Sequence, residues 1–398
     1  MKENIAIIIR ALDNGGAERC ASNLSIDLMK EYNTHLILFD GSNKMYPAGG
    51  KVHDISIPPS DSKVSKIMNV AKRISQVREI KKSNNIKCSI SLLDGANLVN
   101  AYGRKSDKII VSIRNYMSMS NLSKIKVFLL KKYCAKADCV VALSETVKQD
   151  LVKNFEISED KIEVIYNACD AERLNRLTNQ KKIDSVELPK YYIVTMGRLT
   201  HQKGQWHLIK AFKKVCVKYP EMKLVILGEG ELREELEKLA ISLGIKDNII
   251  FMGYVRNPHK IIKESKLFVF SSLYEGLGNV LLEALACGKA IISTDCLAGP
   301  REILAPDTDL SITERGITQA EYGKYGVLVP AFNNEEVNFK DINLTNKEEV
   351  FGDMIIRLLE DESLKNKYEE KSQERIRDFS PEKINSDWKK VIDRLVNS

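Results

Sequence analysis

No apolar segment of this sequence approaches the roughly 20 residues that a membrane-spanning helix needs. The first apolar run, residues 5–9, is too short for the core of a secretory signal, so we expect no leader peptide. The eight cysteines contain no Cys-x-x-Cys pair and lack metal-ligand spacing, so we expect reduced thiols that fill core space. The five histidines show no partner pattern for a nucleophile or a metal. These absences argue against a membrane-spanning protein, a disulfide scaffold and a metal centre.

The chain is too long for one ordinary core, because 398 residues suit two domains of comparable size. Its net charge of +7 is unevenly placed. Residues 1–180 carry 28 Lys plus Arg against 20 Asp plus Glu, a balance of +8, and the remainder carries 33 against 34, a balance of −1. A basic first half indicates an anionic partner, which could be a membrane surface, a phosphate or a nucleic acid. No nucleic-acid-binding motif accompanies the charge, so we expect no nucleic acid partner.

Short runs rich in Val and Ile alternate with helical patterns in both halves of the chain. Such runs predict parallel strands that are covered by helices on both faces of a sheet. We therefore predict an α/β protein with two Rossmann-like doubly wound domains, residues 1–175 and 190–380, facing a cleft. Because ligands bind at the carboxyl ends of parallel strands, that cleft is the expected site. The polar residues 171–190 are the predicted connection, and residues 307–323 are predicted to form a surface loop.

The most informative segment joins an apolar run at residues 267–270 to a helix that ends at Gly288. Glycines before this helix permit a tight turn and a close backbone approach to a ligand. Glu283 lies on the first turns, where its carboxylate can accept hydrogen bonds from ribose hydroxyls, and Glu275 lies at the strand end, facing the cleft. The competing interpretation is two surface acids beside an amphipathic helix. Unpaired backbone N–H groups at the helix start form an anion site suited to a diphosphate, and they belong to Leu277, Gly278, Asn279 and Val280.

A second strand end carries two cations close to a helix start. Arg198 offers a planar fork of donors and Lys203 a compact charge, a combination that indicates a phosphate site. Solvated surface cations are the alternative. Two shorter motifs also follow strands: a Gly-Glu-Gly turn places Glu229 near a ligand, and the backbone at Val255 could meet the edge of a base.

Together these motifs resemble retaining glycosyltransferase family 4, whose members have the GT-B fold of two Rossmann-like domains. The resemblance covers nearly the whole chain and implies that the last helix, in residues 381–398, packs back on the first domain. Residues 293–304 are similar to bacterial enzymes that extend lipid-linked surface oligosaccharides. The remaining matching elements are a Glu-x7-Glu pattern at 275–283, a Gly-Arg-Leu…Lys-Gly element at 197–204, a Gly-Gly-Ala-Glu-Arg loop at 15–19, and residues 166–170.

By this resemblance Glu283 binds the ribose and Glu275 contacts the donor sugar, while Arg198 and Lys203 hold the diphosphate. Gly16 is implied to approach the phosphate from the other domain. The implied catalytic residues are Glu275, Arg198 and Lys203. The implied reaction moves a hexosyl or N-acetylhexosaminyl group, with retention, from a nucleotide-sugar to a lipid-linked or other glycan acceptor. The resemblance favours UDP as the nucleotide. It implies no cofactor and no metal, because cations and helix N-termini neutralise the leaving diphosphate.

One departure from the family concerns the first domain. Many relatives carry a histidine after the strand equivalent to residues 109–113, where this sequence has Arg114 and Asn115. We therefore place Arg114 or Asn115 on the sugar or acceptor side, together with Gly15 and Arg301. A polar pair that only shapes the loop is the alternative.

Residues 63–82 predict a basic amphipathic helix. It either lies on an anionic membrane or packs its apolar stripe on the core of the first domain, and the basic first half favours the membrane. A cytoplasmic enzyme peripheral on the inner face of the cell membrane is the resulting expectation. The apolar stripe comprises Val64, Ile67, Met68, Ala71, Ile74 and Val77.

Two other functions stay open at this point. A nucleotide-sugar 2-epimerase would bind the same donor on the same fold without an acceptor, and a non-catalytic subunit would bind the nucleotide-sugar only. The cations beside the two glutamates favour transfer. The donor sugar, the acceptor and the linkage are not readable from the motifs.

Overall fold

The computed structural model describes residues 2–13, 15–60, 62–120, 122–178, 188–332, 337 and 339–398. It divides into two units, one formed by Met1–Ala168 with Pro381–Ser398 and the other by Cys169–Ser380. The first unit thus ends before the boundary at 175 that the sequence suggests. The boundary lies at this point because the Cys169 backbone N–H donates to the Phe379 carbonyl at 2.8 Å, and Phe379 belongs to the second unit. Residues 179–187 of the predicted connection lie outside the described residues.

The first unit is built on a parallel seven-stranded sheet with the strand order β3-β2-β1-β4-β5-β6-β7 among its described residues. Strands that are buried on both faces alternate with helices, as the sequence predicts. The elements are β1 (Asn4–Ile9), α1 (Gly16–Leu28), β2 (Asn33–Leu38), β3 (Lys51–Asp54), α2 (Lys63–Ser83), β4 (Cys88–Leu92), α3 (Asp94–Tyr102), β5 (Lys108–Ile113), α4 (Lys124–Lys136), β6 (Cys139–Ala142), α5 (Glu145–Phe155) and β7 (Ile162–Val164).

The second unit repeats this plan with the strand order β10-β9-β8-β11-β12-β14-β13, in which the edge strand β13 is antiparallel. Its elements are α6 (Ala171–Thr178), β8 (Tyr192–Met196), α7 (Gln205–Lys218), β9 (Lys223–Leu227), α8 (Arg233–Ser242), β10 (Ile249–Gly253), α9 (His259–Glu264), β11 (Phe268–Phe270), α10 (Asn279–Ala286), β12 (Ile291–Thr294), α11 (Pro300–Leu304), α12 (Ile312–Arg315), β13 (Glu321–Tyr322), β14 (Val327–Val329), α13 (Asn346–Glu360) and α14 (Glu362–Ile376). The two doubly wound sheets confirm the predicted α/β fold class.

The final helix α15 (Pro381–Val396) belongs to the first unit. Its apolar face packs into the core beside β1 and α1, and Trp388 is only 2% exposed there. Tyr32 donates a hydrogen bond to Asp393 at 2.6 Å, and Arg394 pairs with Glu163 at 2.7 Å. Apolar burial of this kind is the main source of its attachment, since exposed ion pairs add little.

The stretch at 307–323 differs from its predicted form as a loop. It contains α12 and the two-residue strand β13, which pairs with β14 through Glu321 and Tyr322. Across the parts of the chain that the structure describes, no helix has the length and apolar character needed to span a bilayer.

Candidate functional site

The loop between β11 and α10 presents a helix N-terminus at the carboxyl edge of the second sheet. Gly278 has a φ of 85°, a left-handed conformation that glycine adopts without strain, and it starts α10 at Asn279. Leu277 is buried, while Asn279 and Val280 are half-buried. Gly299 has a φ of 100°, and a Cβ there would lie 1.9 Å from the Leu277 carbonyl oxygen. The backbone of this loop is therefore held by close packing, as a preformed anion site requires.

Glu275 and Lys203 meet at this loop as an ion pair, with the Lys203 ammonium donating to Oε1 of Glu275. The Ser272 hydroxyl donates to the same carboxylate oxygen at 2.7 Å. Lys203 lies against Gly197, and its ammonium is 5.7 Å from the centroid of the Phe270 ring. The sequence assigned these two residues to different parts of a ligand, and the structure brings them together. A phosphate placed here would compete with Glu275 for the ammonium.

Arg198 extends the same edge from the end of β8, where it is exposed. Its carbonyl accepts a hydrogen bond from the Gln205 side chain at 2.8 Å, which ties the loop to α7. The neighbouring Gly-Glu-Gly turn packs on this loop, because a Cβ at Gly228 would lie 2.0 Å from the Gly197 carbonyl oxygen. Glu229 is exposed there, 3.8 Å from Arg233. The ends of β8 and β9 thus present Arg198, Lys203 and Glu229 at one edge.

Glu283 lies on α10 with only 7% exposure, and its Oε2 is 2.8 Å from Nε2 of His259. The other ring nitrogen of His259 is 2.9 Å from Oδ1 of Asn257. The Asn257 amide nitrogen donates to the Leu177 carbonyl at 3.1 Å, which fixes the orientation of that amide. Both ring nitrogens therefore face acceptor oxygens. Contacts at both nitrogens fix the orientation of the ring beside Glu283.

The surroundings of this pair are closed to solvent. His259 is 4% exposed, and the Cys287 thiol lies 3.5 Å from its carbonyl oxygen. Burial, together with the negative charge of Glu283, raises the pKa of Cys287 to about 12. Val255, which precedes Asn257 in the same loop, is half-buried. In such surroundings a charged carboxylate keeps its orientation through the hydrogen bonds it makes.

Arg301 does not offer the sugar contact that the sequence suggests. It is 1% exposed, and all five of its N–H donors are directed at protein acceptors. Two of these acceptors are carboxylates, Asp295 at 2.6 Å and Glu321 at 2.9 Å. Thr308 accepts the remaining bond at 2.9 Å. With no donor left over, Arg301 holds β12, α11 and β13 together rather than binding a substrate.

The first unit places four predicted residues at the carboxyl edge of its own sheet. Gly15 precedes α1 in an extended conformation, and Gly16 is the first residue of that helix. A Cβ at Gly15 would meet the carboxylate of Glu18 at 2.0 Å. Arg114 and Asn115 follow β5, where Arg114 is buried and Asn115 is exposed. Within the described ranges, no three His, Cys, Asp or Glu side chains are grouped so as to hold a metal ion.

Sequence reasoning missed His259, Asn257, Ser272 and Gly299. Ser272 lies shortly before the Glu-x7-Glu pattern and Gly299 lies inside the segment 293–304, so proximity in sequence was a usable signal for both. His259 lies 24 residues before its partner Glu283 on another helix. No local pattern links the two, and only the fold brings them into contact.

The sequence matches two protein families. "Glycosyltransferase Family 4" covers residues 14–173 and "Glycosyl transferases group 1" covers residues 178–321. An uncharacterized glycosyltransferase of Methanocaldococcus jannaschii is 38% identical over 280 residues, which make up 69% of this chain and 68% of the relative. The N-acetylgalactosamine-N,N'-diacetylbacillosaminyl-diphospho-undecaprenol 4-alpha-N-acetylgalactosaminyltransferase of Campylobacter jejuni is 28% identical, with 98% of this chain and 99% of the relative covered.

The fold is also that of solved structures. A crystal structure of Anabaena HepE in complex with UDP and glucose superposes with a TM-score of 0.74 at 17% identity, covering 98% of this chain and 99% of that one. A sucrose-phosphate synthase from Thermosynechococcus elongatus superposes with a TM-score of 0.76 at 14% identity, covering 99% of each chain. These similarities confirm the predicted GT-B fold.

Proposed function

Because the chain belongs to glycosyltransferase family 4 and is a glycosyltransferase, we propose that it moves a sugar, with retention, from a UDP-sugar to a lipid-linked glycan. The observation that carries the donor half is the β11–α10 loop with its glutamates. Glu275 lies at the strand end and Glu283 in the helix, and the N-terminus of α10 lies between them. UDP is favoured because HepE, with the same fold, was crystallised with that nucleotide.

In this proposal the diphosphate lies over the N-terminus of α10 and accepts donors from Arg198 and Lys203. Glu283, oriented by His259, accepts hydrogen bonds from the ribose, and Glu275 faces the sugar. Gly278, Asn279 and their neighbours supply backbone N–H groups. Glu229 and the backbone at Val255 border the nucleotide. Lys203 pairs with Glu275 until a phosphate replaces the Glu275 carboxylate as the partner of the ammonium.

The chemical step that we propose uses these groups for positioning and charge stabilisation. The acceptor hydroxyl attacks the anomeric carbon on the face from which the diphosphate departs. The bond from that carbon to the phosphate oxygen breaks, and the hydroxyl proton passes to the departing oxygen. The sugar carries oxocarbenium-like charge in the transition state. Arg198, Lys203 and the helix N-terminus neutralise the leaving group without a metal.

The proposed lipid-linked acceptor is supported by exposed side chains on the surface of the first unit. The amino-terminal part of α2 exposes three apolar side chains, with Ile67 at 73%, although the sequence allowed them to face the core. Val77 and Ile74 near the other end of the helix pack on the core instead. Helix α4 exposes Ile125 at 72% and Phe128 at 57% among basic residues. Both helices precede strands of one parallel sheet, so their amino ends lie at its carboxyl edge.

Exposed apolar side chains surrounded by lysines suit an anionic bilayer, where the apolar groups insert and the lysines meet the headgroups. We propose that this face, defined by Val64, Ile67, Met68, Ile125 and Phe128, contacts the membrane that carries a diphospho-lipid acceptor. The Campylobacter relative, which acts on a diphospho-undecaprenol substrate by its name, supports that acceptor class. A peripheral location on the inner face of the cell membrane follows from the proposal.

The donor assignment is tested by substitution of the two cations. Arg198→Ala and Lys203→Ala are each expected to lower turnover on the order of a hundredfold, the scale of losing one transition-state donor. Lys238→Ala is the control, because Lys238 is 73% exposed on α8. Near wild-type turnover in both variants would contradict the assignment.

The nucleotide and the reaction class are tested together. A thermal-shift screen with UDP-, GDP- and ADP-sugars should single out the UDP series, because ligand at 100 times its dissociation constant adds about 2.7 kcal/mol. Incubation with the UDP-sugar alone should leave its sugar configuration unchanged. Isomerisation without an acceptor would favour the 2-epimerase, and binding without transfer over a wide acceptor panel would favour a non-catalytic subunit.

Membrane contact is tested by co-sedimentation with vesicles containing anionic lipid. Wild-type protein should bind less as salt rises, and the double change Ile67→Ser with Phe128→Ser should release it. The matched control is Val217→Ser with Ile241→Ser, which removes side chains of 74% and 55% exposure from the other unit. Equal binding by both double variants would contradict the assignment of this face.

A further inference from the structure

One buried cation of this protein has no anionic partner within the described residues. Arg114 is 8% exposed at the carboxyl end of β5. Its guanidinium donates to the Ser112 hydroxyl at 3.4 Å and to Oδ1 of Asn167. Both acceptors are neutral, and they use two of the five N–H donors that a guanidinium carries. No carboxylate contributes to either contact.

Every other buried Lys or Arg in the described chain has a carboxylate. Lys81 is 2.8 Å from Asp107, and Arg301 is 2.6 Å from Asp295. The same holds for Lys210, 3.1 Å from Glu348, and for Lys365, 2.6 Å from Glu362. Burying a charge without a partner costs free energy, so native proteins provide the anion or leave its place to a ligand. Arg114 departs from a rule that the rest of this molecule follows.

The position of Arg114 is where a ligand of this sheet would lie. The strand order reverses its direction between β1 and β4, and β5 is the next strand after that switch point. Ligands of doubly wound sheets bind at the carboxyl edge close to such a switch. Asn167 follows β7 at the same edge, and Gly16 starts α1 after β1. We therefore expect the anion that pairs with Arg114 to come from a substrate rather than from a side chain of the protein.

We propose that Arg114 binds an oxyanion of a substrate diphosphate, with its remaining donors directed at phosphate oxygens. A guanidinium suits this role because its planar fork matches a phosphate in two parallel hydrogen bonds. Ser112 and Asn167 hold the group in orientation. The inference rests on the proposed transferase function, which has two diphosphates to offer, one in the nucleotide-sugar and one in a polyprenyl diphosphate acceptor.

The test measures dissociation constants for two probes, UDP and farnesyl diphosphate, in wild-type protein and two variants. Arg114→Gln removes the charge but keeps an amide that can reach the same neutral partners. We expect it to weaken at least one probe on the order of tenfold to hundredfold, the scale of a hydrogen bond to a charged group. Arg114→Lys, which keeps the charge without the fork, should weaken the same probe less. Arg104→Gln is the control, since Arg104 is exposed and paired with Asp138.

Each outcome has a separate meaning. A loss confined to UDP assigns the donor diphosphate, and a loss confined to farnesyl diphosphate assigns the acceptor. Unchanged constants for both probes in Arg114→Gln overturn the inference while leaving the transferase proposal in place. A wild-type protein that binds neither probe refutes that proposal itself. The melting temperature of the ligand-free variants is the second readout, and a large fall in Arg114→Gln overturns the inference, because it assigns the arginine to the fold.

Discussion

His259 provides the sharpest test of the donor site, because its contacts with Asn257 and Glu283 determine the effect of removing it. The change is His259→Phe, which keeps the ring shape and removes both nitrogens. Glu283 then loses the donor that stands 2.8 Å from its Oε2 in an almost closed pocket. A hydrogen bond to a charged group is worth about 1.5–3 kcal/mol. Since about 1.4 kcal/mol is tenfold in affinity, we expect UDP binding to weaken roughly tenfold to hundredfold.

Calorimetry with UDP and with 2′-deoxy- and 3′-deoxy-UDP distinguishes orientation of Glu283 from general damage. In the wild type, removing the ribose hydroxyl that Glu283 binds should cost affinity. In His259→Phe that penalty should shrink, because the carboxylate is no longer held toward the hydroxyl. His259→Gln retains one donor and should recover part of the affinity. His53→Phe, in the other unit, is the control and should match the wild type.

Wild-type affinity in His259→Phe, with an unchanged penalty for both deoxy nucleotides, would refute the assigned role.

Three further predictions concern the rest of the chain. Gly299→Ala should cost about 1–3 kcal/mol of stability and weaken UDP binding, because its Cβ would meet the Leu277 carbonyl at 1.9 Å; chemical denaturation and calorimetry measure both. Burial lowers the pKa of His207, and although burial alone would raise the pKa of Glu348, its hydrogen bond from His207 lowers it. Both groups bind protons less readily when folded, so the free energy of unfolding should fall below about pH 6.5, and less steeply in His207→Gln. A thiol reagent at pH 8 should label Cys20 readily in native protein and spare the other seven cysteines, which are buried; mass spectrometry counts the adducts.

The parts of the site that the sequence predicted are local in the chain. Glu275, Gly278 and Glu283 lie within nine residues, and strand, turn and helix each have signals of that length. The start of α10 at Asn279 confirms the predicted helix, which needs no distant contact to be recognised. The same holds for Arg198 and Lys203 after β8. Alternating patterns likewise revealed both sheets, because strands buried on two faces have distinctive composition.

The amphipathic pattern of α2 shows what a local sequence pattern does not predict. Val64, Ile67 and Met68 continue the spacing of Ile74 and Val77, so the sequence predicts one apolar stripe facing one environment. In the structure Val77 is fully buried, whereas Ile67 is 73% exposed. Periodicity records only which side of a helix is apolar. It contains no information about how far the neighbouring core extends along that side.

Arg114 and Arg301 show that the role of a buried arginine also depends on contacts that the sequence does not reveal. Both arginines follow a strand or its loop at a carboxyl edge, both are buried, and the sequence places both near the substrate. They differ in whether the folded chain brings carboxylates into contact with the guanidinium. Glu321 reaches Arg301 from a two-residue edge strand that no periodic pattern predicted, and Asp295 reaches it from the end of β12. Arg114 receives neutral acceptors only. An arginine neutralised by its own fold is structural, and one left without an anion is available to a substrate, so the deciding quantity is a long-range contact that only the folded chain provides.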